Sequence, residues 1–167
     1  MVLARRLCEA GAGFVTMNYA NSSQGWDMHS DMLPQLRQAC PPMDRAISVF
    51  LEDLEQAGLS DKILLVITGE FGRTPRINGN GGRDHWARSW SCVVGGAGMN
   101  GGIAVGKTNA DGTAGARDPY TAHGPMSSVT QWLGLSRATR ITRANKRHDE
   151  APQSGRHIQQ HCHRAPP

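Results

Sequence analysis

The most regular alternation of apolar and polar positions in the chain runs from 43 to 54. Met43, Ala46, Ile47, Phe50, Leu51 and Leu54 fall at i, i+3, i+4, i+7, i+8 and i+11, with acids on the opposite face. That spacing predicts an amphipathic helix, stopped by Gly58. A shorter helix is predicted before it, capped by Ser30 or Asp31 and running to Ala39, with Pro41 and Pro42 restarting the second one. Residues 3–12 carry Leu3, Ala4 and Leu7 on one side and Gly11 at the expected C-cap. Residues 126–135 read as a last helix.

Strand signals are compact. Residues 63–68 (Ile-Leu-Leu-Val-Ile-Thr) are a continuous apolar run, read as a buried strand of a parallel sheet. Residues 13–19 have aromatic and β-branched residues in strand-like positions, and 91–94 and 103–105 read as further short strands. Strand, helix, strand over 14–68 predicts a right-handed βαβ unit. The fold class expected is therefore α/β, a mixed sheet with flanking helices.

After Leu135 the pattern stops. Ile141 and Ile158 are the strongly apolar residues left, so 136–167 is expected to be a disordered tail and 1–135 the folded part. Seven Arg and Lys against Asp149 and Glu150 give this tail +5, and the +4 of the whole chain leaves −1 for the rest. The body is therefore not a specific nucleic-acid-binding face, and the tail's attraction to nucleic acid is unspecific. No apolar run approaches the ~20 residues a membrane helix needs, so no membrane partner is expected. Residues 1–7 lack the apolar core of a signal peptide and read as the middle of a helix, as if the chain started partway through a larger domain. Compartment and oligomeric state stay open.

Cys8, Cys40, Cys92 and Cys162 are too widely spaced for a zinc ribbon, and the first three are expected to be buried thiols. Residues 96–101 (Gly-Ala-Gly-Met-Asn-Gly) spell a dinucleotide fingerprint, but a strand-like Ile-Ala-Val follows where a helix is needed. A glycine-rich hairpin is the better reading. His148, His157, His161 and His163 in the tail suit adventitious nickel or zinc rather than a built site.

The remaining polar groups differ in kind. Asp27 and His29 stand two apart beside Trp26. Glu70 and Arg73 follow the run 63–68, and Asp84 and His85 precede Trp86. In open α/β sheets ligands bind beyond the carboxyl ends of strands. Carboxylates with imidazoles there suit Zn²⁺, Mn²⁺ or a two-metal site, and an arginine beside them suits a tetrahedral oxyanion. A purely structural network, Arg73 or Arg83 paired with Asp84 or Glu70, accounts for the same spacing equally well.

Residues 69–75 (Gly-Glu-Phe-Gly-Arg-Thr-Pro), followed by 82–86 (Gly-Arg-Asp-His-Trp), resemble the signature of the bacterial family named domain of unknown function 1501. Residues 26–29 (Trp-Asp-Met-His) resemble that family's W-D-x-H motif. The resemblance spans about 2–135. It implies the alkaline-phosphatase-like superfamily, with its sulfatases and metal-dependent phosphatases. Its expected architecture is a mixed sheet with one or two divalent metals, Zn or Mn, at its carboxyl edge.

Carried over by position, Asp27, His29, Glu70, Asp84 and His85 are the implied metal set. Arg73 is the implied catalytic arginine, and a phosphate or sulfate ester the implied substrate. Glu70-Phe71 stands where the superfamily commonly has Asp-His, which removes one imidazole. The family's N-terminal half, with the nucleophile, is absent from this chain. The resemblance thus implies the C-terminal portion of a metal-dependent hydrolase, inactive alone. A non-catalytic binding or structural module that keeps the fold is the alternative.

Overall fold

A computed structural model describes residues 1–19, 25–99, 101–115, 123–134, 140–142 and 148–150. The elements are α1 (Val2–Glu9), α2 (Met32–Gln56), β1 (Leu64–Thr68), β2 (Gly72–Arg73), β3 (His85–Trp86), β4 (Cys92–Gly96), α3 (His123–Trp132), β5 (Arg140–Thr142) and β6 (His148–Glu150). Helices with small antiparallel sheets make this a mixed α/β chain.

α1 ends where its glycine requires. Gly11 takes φ +97°, and the N–H groups of Gly11 and Ala12 bond back to Cys8 and Leu7. α2 is one helix of 25 residues where the prolines predicted two, since Pro41 and Pro42 sit inside it. Ala39, Phe50 and Leu54 are its buried residues. Positions 39 and 50 are eleven apart, close to three full turns, so all three lie on one stripe on either side of the prolines. Burying that stripe as a unit offsets the lost hydrogen bonds, which cost about 3 kcal/mol for an interior proline. Gly58, at φ +65°, stops the helix, as its position predicts.

The βαβ unit does not form. Residues 13–19 carry no strand, and β1 pairs antiparallel with β4, with Val66 opposite Val94. β1 is therefore not a buried strand of a parallel sheet, and none of its residues is fully buried. Residues 103–105 are also not a strand. A run of apolar β-formers carries a propensity, but a strand exists only where a second one meets it. Gly96 ends β4 at φ +81° against the Ile63 carbonyl, and Gly98 takes φ +69° in the turn that follows, so the backbone itself requires these two glycines. α3 begins and ends three residues earlier than 126–135.

Cys8, Cys40 and Cys92 are free, and none is the buried thiol expected: Cys8 and Cys92 are half-buried and Cys40 is exposed. The disorder expected for 136–167 falls for the most part outside the described residues. Within that segment β5 and β6 pair antiparallel, Ile141 opposite Asp149. His157, His161, His163 and Cys162 lie outside the described residues.

Candidate metal centre

Two loops are laced together to make the site. Residues 26–32 and 78–84 run antiparallel, with Ser30 bridging Gly81. Backbone N–H groups of Asp31, Met32 and Arg83 donate to the carbonyls of Asn80, Gly81 and Met28. Met28 is 5 % exposed and pins the first loop down. Its neighbours Asp27 and His29 then reach the same side, as their two-residue spacing suggests, with Asp27 Oδ1 3.0 Å from His29 Nε2.

Gly82 lets the loops close: a Cβ there would sit 2.1 Å from the His29 carbonyl carbon. The β2–β3 ribbon sets the other wall, because Arg73 stands directly opposite His85.

Three atoms converge. His85 Nε2 is 2.9 Å from Asp27 Oδ1, and His29 Nε2 is 3.2 Å from His85 Nε2. With the 3.0 Å edge between Asp27 and His29 they form a nearly equilateral triangle. Donors on adjacent positions of an ion at about 2.0–2.2 Å stand roughly 2.8–3.6 Å apart in octahedral or tetrahedral geometry. All three edges fall in that range, so the residues fit a divalent cation.

His29 Nδ1 lies 2.9 Å from Asp84 Oδ1. A proton on Nδ1, donated to Asp84, leaves the Nε2 lone pair directed at the triangle, the arrangement of carboxylate–histidine–metal sites. The five residues implied as ligands thus divide. Asp27, His29 and His85 come together, Asp84 is hydrogen-bonded to His29, and among the described residues Glu70 reaches Arg73 alone, at 3.4 Å.

Arg73 donates from Nη1 to Asp27 Oδ1. Its guanidinium lies 5.5 Å from the Phe71 ring centre, and the Phe71 ring is 4.4 Å from the His85 ring. Phe71 is thus a packing surface for the His85 ring and for the arginine. The hydrogen bond from Arg73, then that from His85, lowers the Asp27 pKa to about 2. Asp84 is lowered by its hydrogen bonds to His29 and Asn78.

Two positioning residues were not read from the sequence. Asn78 accepts the N–H groups of Asn80 and Gly82 on its Oδ1, and its Nδ2 donates to the His29 carbonyl at 3.0 Å and to Asp84 Oδ1 at 3.1 Å. Thr74 Oγ1 accepts the Asp84 N–H. The available signal for Asn78 was its place at the head of Asn-Gly-Asn-Gly-Gly, where an asparagine folds a turn about its own side chain.

The cluster is open to solvent: the side chains of Asp27, His29, Asp84 and His85 are 45–55 % exposed. Among the described residues no helix is long and apolar enough to cross a membrane.

Neither a curated protein nor a solved structure matches the chain. A family model described as "Protein of unknown function (DUF1501)" matches residues 1–161, and so runs well past residue 135, where the motif resemblance ends. With nearly its whole length matched, the chain belongs to the DUF1501 family.

Proposed function

We propose that Asp27, His29 and His85 hold a divalent cation, Zn²⁺ or Mn²⁺, as part of a site for hydrolysing phosphate or sulfate esters, on a partial alkaline-phosphatase-like scaffold. The observation that carries this reading is the triangle of donor atoms with edges of 2.9, 3.0 and 3.2 Å. Bound there, the ion supplies Lewis acidity and makes a strong nucleophile available near neutral pH. Asp84 holds the tautomer and orientation of His29. Arg73 offers a planar fork to the non-bridging oxygens of the ester. The half-exposed cluster lacks the water-excluded setting in which fixed charges stabilise a transition state strongly. This chain by itself is therefore expected to bind metal without turning over substrate.

A second reading keeps the fold as a non-catalytic module. It is favoured by one feature: Arg73 already pairs with Asp27, the one carboxylate of the donor triangle, so that carboxylate has a counter-charge without an ion.

Calorimetric titration of metal-depleted chain with Zn²⁺ and Mn²⁺ separates the two. His148, His157, His161 and His163 are replaced by glutamine in every sample to remove tail binding. One tight equivalent is expected, lost in His29→Ala and in His85→Ala, with no release of nitrophenol from aryl phosphate or aryl sulfate. Binding that is absent, or indifferent to both substitutions, leaves the non-catalytic module standing. Turnover that vanishes with His85→Ala would show that the chain is a complete catalyst.

A further inference from the structure

Arg73 occupies the atom the cation needs. Its Nη1 donates to Asp27 Oδ1, the same oxygen that approaches both imidazoles. A guanidinium donating to Oδ1 takes up one of that oxygen's two lone-pair directions and weakens it as a ligand for a divalent ion. Two positive charges within a few ångströms also repel strongly.

Arg73 has somewhere else to go. Its Nη2 is already within 3.4 Å of Glu70 Oε1, a long contact with room to shorten. The stacking on Phe71 holds the guanidinium plane beside the cluster. Arg73 is also the least exposed of the charged side chains here, at 23 % against 50 % for Asp27 and 63 % for Glu70. It is therefore well anchored except at the end that meets Asp27.

Resting on the metal reading above, we propose that Arg73 is a displaceable counter-cation of Asp27. A divalent ion and the guanidinium compete for Oδ1. Once displaced, Arg73 is retained by Glu70 and Phe71 and presents its free Nη1 to a tetrahedral oxyanion. Metal loading then creates the anion site, and the coupling is reciprocal, so anion binding tightens the metal.

This assigns an unusual sign to a substitution. Losing an arginine that merely braces the ligands loosens metal binding, whereas losing a competitor tightens it. The experiment is a Mn²⁺ titration of the chain with its tail histidines replaced, in wild type, Arg73→Gln and Arg73→Met. Arg76→Met and Arg88→Met serve as controls, since neither is hydrogen-bonded to Asp27. Inorganic phosphate is then titrated into metal-free and Mn²⁺-loaded samples.

Both Arg73 variants are expected to bind Mn²⁺ roughly fivefold or more tighter, in the range typical of coupled sites, with the controls unchanged. Phosphate is expected to bind loaded wild type, and to bind the loaded Arg73 variants and metal-free wild type at least fivefold more weakly. Arg73→Gln is shorter and uncharged but keeps a polar end, so it decides the matter if the methionine variant does not fold. Equal or weaker Mn²⁺ binding in a folded variant overturns the proposal and leaves the metal site intact. Absence of Mn²⁺ binding in every sample overturns the metal site itself.

Discussion

Asp27 Oδ1 accepts from Arg73 and from His85, with His29 Nε2 a further 3.0 Å contact, and this crowding sets its chemistry. Its carboxyl falls from 3.8 to about 2, with the Arg73 hydrogen bond the largest cause and the His85 bond next. The sign of the linkage follows. A depressed folded-state pKa gives a contribution fully present above the unfolded value of 3.8, which fades as pH falls toward 2. Asp84, also lowered, loses its own contribution on the same acid side.

Carbon-13 NMR titration of the carboxyls checks this. Arg73→Met is expected to return Asp27 toward 3.8, and by more than His85→Ala does. The reverse order would mean that the imidazole, not the guanidinium, holds the charge. The residues of this cluster were legible in the sequence because acids, imidazoles and an arginine followed apolar runs in three short bursts. Their partnerships were not. Nothing in the spacing says that Asp84 serves His29 across 55 residues while Glu70 serves Arg73, because contact between distant segments is decided by loop pairing.

At the scale of elements, the pairing of loops 26–32 and 78–84 does what the missing βαβ unit was expected to do. It brings the Asp27–His29 pair beside Asp84 and His85 with no parallel sheet among the described residues. Gly82 is where the two loops touch most closely. A Cβ there would lie 2.1, 2.2 and 2.4 Å from the His29 carbonyl carbon, its oxygen and the Ser30 nitrogen, all backbone atoms that cannot swing aside. Gly82→Ala is expected to destabilise the chain by about 1–3 kcal/mol, the ordinary cost of forced overpacking. It should weaken Mn²⁺ binding as well, because the displaced segment carries His29. Urea unfolding and the same metal titration read both effects. An unchanged midpoint with unchanged affinity would show that the loops have slack. Helices were more legible than strands for a physical reason. A helix satisfies its backbone within one segment, so Leu3, Leu7, Phe50 and Leu54 announce it locally. A strand needs a partner, and Phe14, Met17 and Ile103 remain exposed because none meets them.

At the scale of the molecule, burial is scarce. Among the described residues Met28, Ala39, Phe50 and Leu54 are the buried apolar side chains, against seventeen large apolar ones left exposed. Among the described residues the β1–β4 sheet has two strands, so each presents an unpaired edge, and neither face is closed. Val66 is 40 % exposed and Val93 58 %. In the register, Val66 faces Val94 while Val93 faces Ile67, so these two valines lie on opposite faces of the pair. Open edges beside apolar faces are templates for pairing with another chain. Sedimentation velocity over a wide concentration range is therefore expected to show association, and Val66→Lys with Val93→Lys to shift the chain toward monomer. Charges at these two positions oppose edge-to-edge and face-to-face contact alike, and neither residue touches the metal cluster, so Mn²⁺ affinity should hold while association falls. A monodisperse monomer at every concentration would mean that the exposed sheet is shielded by the chain itself.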